Sequence, residues 1–288
     1  MSTSPKSLKG HSAYYGPLMM VASAICFSGG GIAMKMIPWN PLAINGIRNL
    51  IAMFVIGFYL KLTHQSLKLN RTIAVGAISM SGVTTLFTIA NKMTTAGNAI
   101  ILQYTCPIWI IIMMFLFFRQ KPSRLDLITI GVVLLGILCF FFDSIAGGNI
   151  LGDLIAVLAG VFYAGVFILN EFEEGDALSS MFFGMLLCGV CLTPMVWKET
   201  DFSPRTILAI LFLGVIQIGI AYIFFAIGTK YTHPVTASLV AAIEPVLNPI
   251  LVAIFWGEIL TPLSLCGAAI VIIAVVSYNI LKIRQAPL

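Results

Sequence analysis

Apolar runs of about twenty residues recur along the whole chain, and no other feature limits its possible folds as strongly. A helix of that length crosses the hydrocarbon core of a bilayer, which is roughly 30 Å thick, whereas a membrane β-strand needs alternating polarity over about ten residues. Only 9% of the 288 residues are charged. Because soluble domains carry about 25% charged residues, the sequence predicts an all-α integral membrane protein.

Ten transmembrane helices are predicted, joined by short polar connections in which no soluble domain fits. The polar first thirteen residues, with Lys6 and Lys9, lack the pattern of a removable signal peptide. The predicted spans lie near residues 18–34, 42–60, 72–90, 98–118, 125–142, 151–169, 178–197, 206–226, 235–256 and 263–281.

The positions of the sixteen Lys and Arg residues predict the orientation. With both termini in the cytoplasm, eleven of them fall inside and four outside, and the remaining one, Arg48, lies within the second span. We therefore expect a multi-pass protein of a bacterial-type inner (cell) membrane. The net charge of +5 reflects this topology, and no basic stripe with interleaved aromatic residues indicates a nucleic-acid partner.

Short segments of the first half recur in the same order in the second half. This similarity predicts a five plus five inverted repeat over residues 14–146 and 150–283. Each unit has five spans, an odd number, so the second unit enters the membrane with the opposite polarity. Secondary carriers use such symmetry to present one midplane site to either side. The matching segments are Gly16–Leu18 with Gly152–Leu154, Arg71–Ile73 with Arg205–Ile207, Ala99–Pro107 with Ala237–Pro245, and Gly131 with Gly267.

Two charged residues lie deep inside predicted spans. Glu244 is about ten residues into the ninth span, roughly 15 Å deep, and Arg48 is about seven residues, roughly 10 Å, from the outer end of the second span, where that span begins. A charge there costs at least about 2.5 to 3.5 kcal/mol, so each should face the protein interior. We hypothesise that both face a central cavity, where they either pair or bind the amine and carboxylate of a zwitterionic substrate, with Glu244 also coupling transport to protons. A permanent ion pair between helices is the alternative.

Polar residues at helical spacing extend this predicted substrate-binding wall. The same stripes could equally be hydrogen bonds that hold helices together. Pro107 and Pro245 occupy matching places in the two halves and predict helix breaks near the binding region, or kinks that serve packing alone. The other candidates are Asn45 and Asn49 on the second span, Thr88 and Asn91 on the third, Gln103 and Tyr104 on the fourth, Gln217 and Tyr222 on the eighth, and Asn248 on the ninth.

No catalytic residue, cofactor or metal site is predicted. All six cysteines fall in predicted spans, and Cys188 and Cys191 form a Cys-x-x-Cys without a second pair or a nearby histidine, which favours packing. Neither His-Glu-x-x-His nor Gly-x-Ser-x-Gly occurs. The segment Gly29–Gly31 lacks the Gly-Lys-Ser/Thr ending of a phosphate loop and indicates a close approach of helices.

Four segments carry a pattern found in known proteins: Pro41-Leu42, Arg48–Ala52, Ala237–Leu239 through Glu244-Pro245, and Trp256–Glu258 with Thr261 and Gly267. They resemble the EamA-type carriers of the drug/metabolite transporter superfamily, and the resemblance covers nearly the whole chain. Three features depart from the family pattern: Cys26-Phe27 stands where members often have tryptophan, Arg119-Gln120 replaces a Gly-Glu, and the first span has no acid. The resemblance implies a secondary carrier.

The leading functional hypothesis is a secondary active transporter of a small polar metabolite, an amino acid or a similar and even amphipathic molecule, working in the direction of efflux. Its predicted partners are this small-molecule substrate, membrane lipid and protons. A non-transporting receptor or assembly subunit is the alternative, and it would need no charged cavity accessible to water. An enzyme acting on lipid-linked substrates would need clustered acids, histidines or a metal site, and the sequence contains no such cluster.

Overall fold

A computed structural model describes residues 14–94, 96–144, 150–256 and 262–285, and all regular structure in these ranges is helical. The prediction of an all-α fold is thereby confirmed. Two 3₁₀ segments (Leu169–Glu171 and Thr193–Lys198) and one π-helical segment (Leu213–Ile220) extend neighbouring helices. The α-helices are α1 Tyr15–Ser28, α2 Gly30–Lys35, α3 Pro41–Leu62, α4 Arg71–Met93, α5 Ala96–Gln103, α6 Cys106–Phe118, α7 Arg124–Ser144, α8 Ile150–Ile168, α9 Ala177–Leu192, α10 Pro204–Phe212, α11 Ala221–Tyr231, α12 Pro234–Ala241, α13 Glu244–Trp256 and α14 Pro262–Gln285.

Six helical segments of 20 to 28 residues are long and apolar enough to cross a membrane. Large apolar side chains such as Phe54 and Phe58 point outward with about two thirds of their surface exposed, as expected of a face that contacts lipid. The chain is therefore a multi-span membrane protein, while the count of ten spans stays a prediction. The six segments are Tyr15–Met34, Pro41–Leu62, Arg71–Met93, Ile150–Glu171, Ala177–Lys198 and Pro204–Tyr231.

Three of the predicted continuous spans are each divided into two helices. The breaks lie at Gly29, at residues 104–105 and at residues 242–243. The predicted eighth span runs from 204 to 231, longer than expected, because a π-helical segment joins α10 to α11. The sequence predicted interruptions at the two prolines only; hydropathy alone reveals neither a break at a glycine nor a change from i+4 to i+5 hydrogen bonding.

Helices of the two halves pack on each other reciprocally. The helix α1 packs on α11 and α4 packs on α8, while α3 packs on α9 and α7 on α14. Glycines at matching positions allow the α1–α11 and α4–α8 contacts. A methyl group added to Gly16 would lie 2.9 Å from the Tyr231 carbonyl oxygen, and one added to Gly152 would lie 2.9 Å from Cβ of Met93. Such exchanged packing is the pattern that a two-fold relation between the halves produces.

Side-chain caps define where several helices begin. The Asn40 and Asn70 side chains accept hydrogen bonds from Leu42 N and Ile73 N at the starts of α3 and α4. Before α10, the Thr206 hydroxyl donates to the Asp201 carboxylate at 2.6 Å and helps to lower the pKa of that group. The polar connections thus fix the entry points of the apolar helices.

Gly46 on α3 offers a direct test of this packing, because an added methyl group would meet backbone atoms of Leu192 and Thr193. Backbone atoms cannot avoid this clash by changing rotamer as a side chain can. Gly46→Ala is therefore expected to lower the free energy of unfolding by about 1 to 3 kcal/mol. The matched control is Gly131→Ala, where nothing lies within 4 Å of the added methyl group. That change should be neutral or stabilising by up to about 1 kcal/mol. Thermal unfolding of both variants in detergent measures the difference, and equal stabilities would contradict this packing.

Candidate functional site

A small polar cavity lies in the interior, lined by residues of both halves. The centres of water molecules can occupy a volume of about 30 Å³ in this cavity, which is enough for about two water molecules. An amino acid does not fit into the cavity in this state. The lining residues are Phe27, Arg48, Val83, Thr84, Phe87, Gln103, Tyr163, Gln217, Ile218, Tyr222 and Glu244.

The Arg48 guanidinium on α3 is only 2% exposed and is held by neutral oxygens. Its Nη2 donates to Thr88 Oγ1 at 2.5 Å, to Asn45 Oδ1 at 3.1 Å and to the Thr84 carbonyl at 3.3 Å. Its Nη1 has no hydrogen-bond partner in the described part of the chain. Arginine keeps its charge in proteins and carries five N–H donors, so this side chain is a buried cation with free donors beside the cavity.

Behind the guanidinium, amide side chains on one face of α3 hold it in place. Asn45 Oδ1 accepts from Arg48 and, at 2.9 Å, from Asn49 Nδ2. Asn45 Nδ2 in turn donates to Thr85 Oγ1 on α4 at 3.0 Å. The i, i+3, i+4 spacing of the three residues on α3 places them on one face. Asn45, Asn49 and Thr88 therefore support Arg48 from behind and are not among the residues that line the cavity.

Glu244 is the first residue of α13, lines the cavity and is 7% exposed. Its Oε2 lies 2.6 Å from the Tyr104 hydroxyl, which lies 2.7 Å from the Ala241 carbonyl oxygen. Within the described ranges no nitrogen of Arg48 lies within 4.0 Å of a Glu244 oxygen. The permanent ion pair between helices, the alternative drawn from the sequence, is thus absent from this state.

Two side-chain amides pack over the glycines at the start of α2. A methyl group added to Gly30 would lie 2.8 Å from Gln217 Nε2, and one added to Gly31 would meet the Asn248 side-chain oxygen. Gln217 lies on the π-helical segment, and its Oε1 is buried without a hydrogen-bond partner among the described residues. The close approach predicted for Gly29–Gly31 thus brings a second unsatisfied polar group to the cavity.

Aromatic side chains surround the cavity. Tyr104 and Tyr222 were predicted site residues, whereas Phe27 and Tyr163 were not. Phe27 packs edge to face on Tyr222 at a centroid distance of 4.8 Å. Tyr163 packs edge to face on Tyr104 at 6.3 Å and stacks on Phe225 at 5.9 Å. The tyrosine at position 163, in an otherwise apolar run, was the available signal, because a buried tyrosine hydroxyl usually needs a partner.

The structure brings most of the predicted site residues together. Asn91 is the exception: it is half-buried near the end of α4, and it neither lines the cavity nor forms a hydrogen bond with Arg48. The predicted residues that line the cavity are Arg48, Gln103, Gln217, Tyr222 and Glu244; those one step behind are Asn45, Asn49, Thr88, Tyr104 and Asn248.

Both predicted prolines directly follow a helix break. Pro107 is the second residue of α6 and Pro245 the second residue of α13. Because proline has no N–H, the carbonyl four residues earlier loses its helical donor. These carbonyls belong to Gln103, which lines the cavity, and to Ala241, which the Tyr104 hydroxyl contacts.

A second buried carboxylate escaped the sequence reasoning. Asp126, the third residue of α7, is 5% exposed and accepts from the Tyr278 hydroxyl at 2.7 Å and from Ser123 N at 2.8 Å. Position along a span predicts depth in the membrane, but it does not predict whether neighbouring helices cover a side chain. Asp126 lines a different cavity, with Gln120 and His233.

Known proteins with similar sequences are described as uncharacterized transporters. The Clostridium kluyveri relative is 26% identical over 236 residues, covering 76% of this chain and 75% of its own. The Archaeoglobus fulgidus relative is 22% identical over 265 residues, covering 91% and 95%. YwfM of Bacillus subtilis is 28% identical over 178 residues, and the match spans 57% of its length. A solved crystal structure shares the fold with a TM-score of 0.77 at 16% identity, covering 94% of this chain and 99% of the other.

Family comparison covers almost all of the chain. The model of the EamA-like transporter family matches twice, at residues 14–142 and at residues 150–280. Residues 257–261, which include Gly257, Glu258 and Thr261 of the resembling segments, lie outside the described ranges. Together with the multi-span helical fold, these two matches show that the chain belongs to the EamA-like transporter family.

Proposed function

We propose that the protein is a secondary active transporter that exports a small metabolite bearing both an amine and a carboxylate, such as an amino acid, across the cytoplasmic membrane. One observation carries the proposal: Arg48 and Glu244 face the same interior cavity, yet they form no ion pair. A buried charge without a partner is costly. A substrate that supplies both missing partners would therefore bind there with favourable electrostatics.

The chemistry of each wall suggests how such a substrate would lie. The free Nη1 donors of Arg48 suit a carboxylate oxygen, because a hydrogen bond between two charged groups is roughly twice as strong as one between neutral groups. Glu244 suits an ammonium group, and the faces of Tyr163 and Tyr222 add attraction for a cation. Phe27 and Phe87 would cover the apolar part of an amphipathic substrate.

The small size of the cavity requires that the helices move to admit this substrate. The reciprocal packing of the halves supports two five-helix units, residues 14–146 and 150–283, with ten spans in total. Rocking of one unit against the other would open the midplane site to each side in turn, by alternating access. The excess of Lys and Arg on one side supports a cytoplasmic location for both termini, and the direction of export follows the resemblance to EamA-type carriers.

A substrate panel in proteoliposomes tests the proposal. The panel pairs neutral zwitterionic amino acids with the amines that lack the carboxylate and the acids that lack the amine. Each charged hydrogen bond is worth about 1.5 to 3 kcal/mol, so either loss should weaken competition for counterflow by roughly 10- to 150-fold. Protein-free vesicles are the control. Equal competition by all three classes, or no protein-dependent flux of any zwitterion by folded protein, would overturn the proposal.

A further inference from the structure

One hydroxyl group joins two of the three helix breaks, those at residues 104–105 and 242–243. Tyr104, 1% exposed, lies in the break between α5 and α6. Its oxygen is 2.7 Å from the carbonyl of Ala241, the last residue of α12, and 2.6 Å from Oε2 of Glu244, the first residue of α13. A single side chain from the first half therefore contacts both sides of the break in the second half.

The Ala241 carbonyl depends on this contact because of Pro245. In a continuous α-helix the N–H of residue 245 would donate to the carbonyl of residue 241. Proline has no N–H to donate. The Tyr104 hydroxyl stands in the place of the missing donor, and a buried carbonyl left without any donor is costly.

Counting hydrogens gives two distinct states of this group. Tyr104 has one hydroxyl hydrogen and two acceptors within 2.7 Å. When Glu244 is protonated, its O–H donates to the tyrosine oxygen, and the tyrosine O–H donates to Ala241, so both contacts are hydrogen bonds. When Glu244 is ionised, it can only accept. The tyrosine hydrogen then turns to the carboxylate, and the Ala241 carbonyl loses its donor.

We propose that Tyr104 is a positioning residue that converts proton release from Glu244 into loosening of the helix break at residues 242–243. Only the O–H bond of the Glu244 carboxyl breaks; its proton passes to water in the cavity, and the Tyr104 hydrogen changes its acceptor. The inference rests on the proposed function in one respect, because it supplies the step by which a proton moves the carrier. Reprotonation restores both hydrogen bonds and closes the break.

Among the groups around Glu244, Tyr104 is the one whose hydrogen bond changes when Glu244 ionises. The facing helices α1 and α5 present Phe27 and Gln103 to the cavity, and both are neutral. Arg48, across the cavity, keeps its charge in both states. The titratable and charged groups around Glu244 are Tyr104 at the break, Cys106 on α6, Tyr163 on α8, Tyr222 on α11 and Arg48 on α3.

The device exists in one half only. Aligning Ala99–Pro107 with Ala237–Pro245 places Cys106 opposite Glu244, and Ala242 opposite Tyr104. The break at residues 104–105 therefore has neither a carboxylate nor a hydroxyl at the positions that match Glu244 and Tyr104. A proton would act on one helix break and leave its symmetry mate unchanged, which gives the two units unequal responses.

Hydrogen exchange of the first turn of α13 tests the inference in the purified full chain. The amides of Val246 and Leu247 donate to the Ile243 carbonyl at 3.2 and 2.9 Å, so their protection reports on the break. After correction for intrinsic rates, wild-type protection should fall by about tenfold as pH rises through the ionisation of Glu244, the equivalent of one hydrogen bond. Tyr104→Phe should be poorly protected at every pH. Glu244→Gln, whose amide always donates, should stay protected at every pH.

Tyr278→Phe is the matched control, since Tyr278 is also 1% exposed and also donates to a buried carboxylate, that of Asp126, at 2.7 Å. It should keep the wild-type pH profile at residues 246–247. A Tyr104→Phe profile parallel to that of wild type would overturn the inference, as would an equal loss of protection in the control. The measurement needs no substrate, so its failure is distinguishable from failure of the substrate panel, which would remove the proposed function instead.

Discussion

Arg48→Gln is expected to reduce protein-dependent flux of a zwitterionic substrate to the level of empty vesicles. The substitution keeps a polar side chain beside Asn45 and Thr88 but removes the charge and the unpartnered Nη1. Losing the charge-assisted hydrogen bond from Nη1 to a substrate carboxylate should weaken binding by roughly 10- to 150-fold, given about 1.5 to 3 kcal/mol for such a hydrogen bond. Initial rates of counterflow in proteoliposomes measure the loss.

Stability distinguishes a binding role of Arg48 from a structural one. The guanidinium is buried without a counter-ion among the residues described, so removing it relieves a desolvation cost. The Arg48→Gln variant should therefore unfold at the same temperature as wild type or at a higher one. Arg71→Gln, the same change at an exposed position on α4, should leave both flux and stability unchanged.

Arg48→Lys gives a finer test of geometry. A lysine ammonium keeps the charge but lacks the planar fork that contacts Asn45 and Thr88 while leaving Nη1 free. Flux should lie between those of wild type and Arg48→Gln. Full flux with glutamine at position 48, or a large loss of stability with flux retained, would show that the arginine serves packing.

The membrane fold could be read from the sequence because apolar runs of span length have few alternatives in a chain with 9% charge. The interruptions were harder to predict. Pro107 and Pro245 signal theirs chemically, through a missing donor. Gly29 and the π-helical segment at 213–220 carry no such signal, because they arise where the start of α2 and this segment pack against each other, with Gln217 over Gly30.

The charged part of the site could be predicted, whereas the aromatic part could be predicted only for two of its tyrosines. Arg48 and Glu244 are conspicuous because a charge in an apolar run must have a reason. Phe27 and Phe54 look alike in the sequence, yet Phe27 is 6% exposed and packs on Tyr222, while Phe54 is 66% exposed. Hydropathy does not distinguish a residue that faces lipid from one that faces a cavity, because both environments favour apolar side chains.

Glu244→Gln is expected to abolish the accumulation of substrate against its gradient when a pH gradient is imposed. In the proposed cycle, Glu244 alternately carries a proton and contacts the substrate amine, so the two gradients share one site. One pH unit corresponds to about 1.36 kcal/mol, and it can drive roughly tenfold accumulation if one proton is exchanged per substrate. A carboxamide takes up and releases no proton, so the accumulation ratio should fall to one whatever the gradient.

Exchange without a gradient separates coupling from binding. With glutamine at position 244 the substrate amine still meets a polar acceptor, so counterflow at saturating substrate should persist, with an affinity lowered by about tenfold for the lost charge. Asp126→Asn is the control, because Asp126 is also a buried carboxylate but lies in another cavity; it should keep wild-type coupling. Undiminished accumulation by Glu244→Gln would mean that another group carries the proton. Among the residues described, Glu244 is the acid that lines the Arg48 cavity. The coupling site would then have to lie outside that cavity.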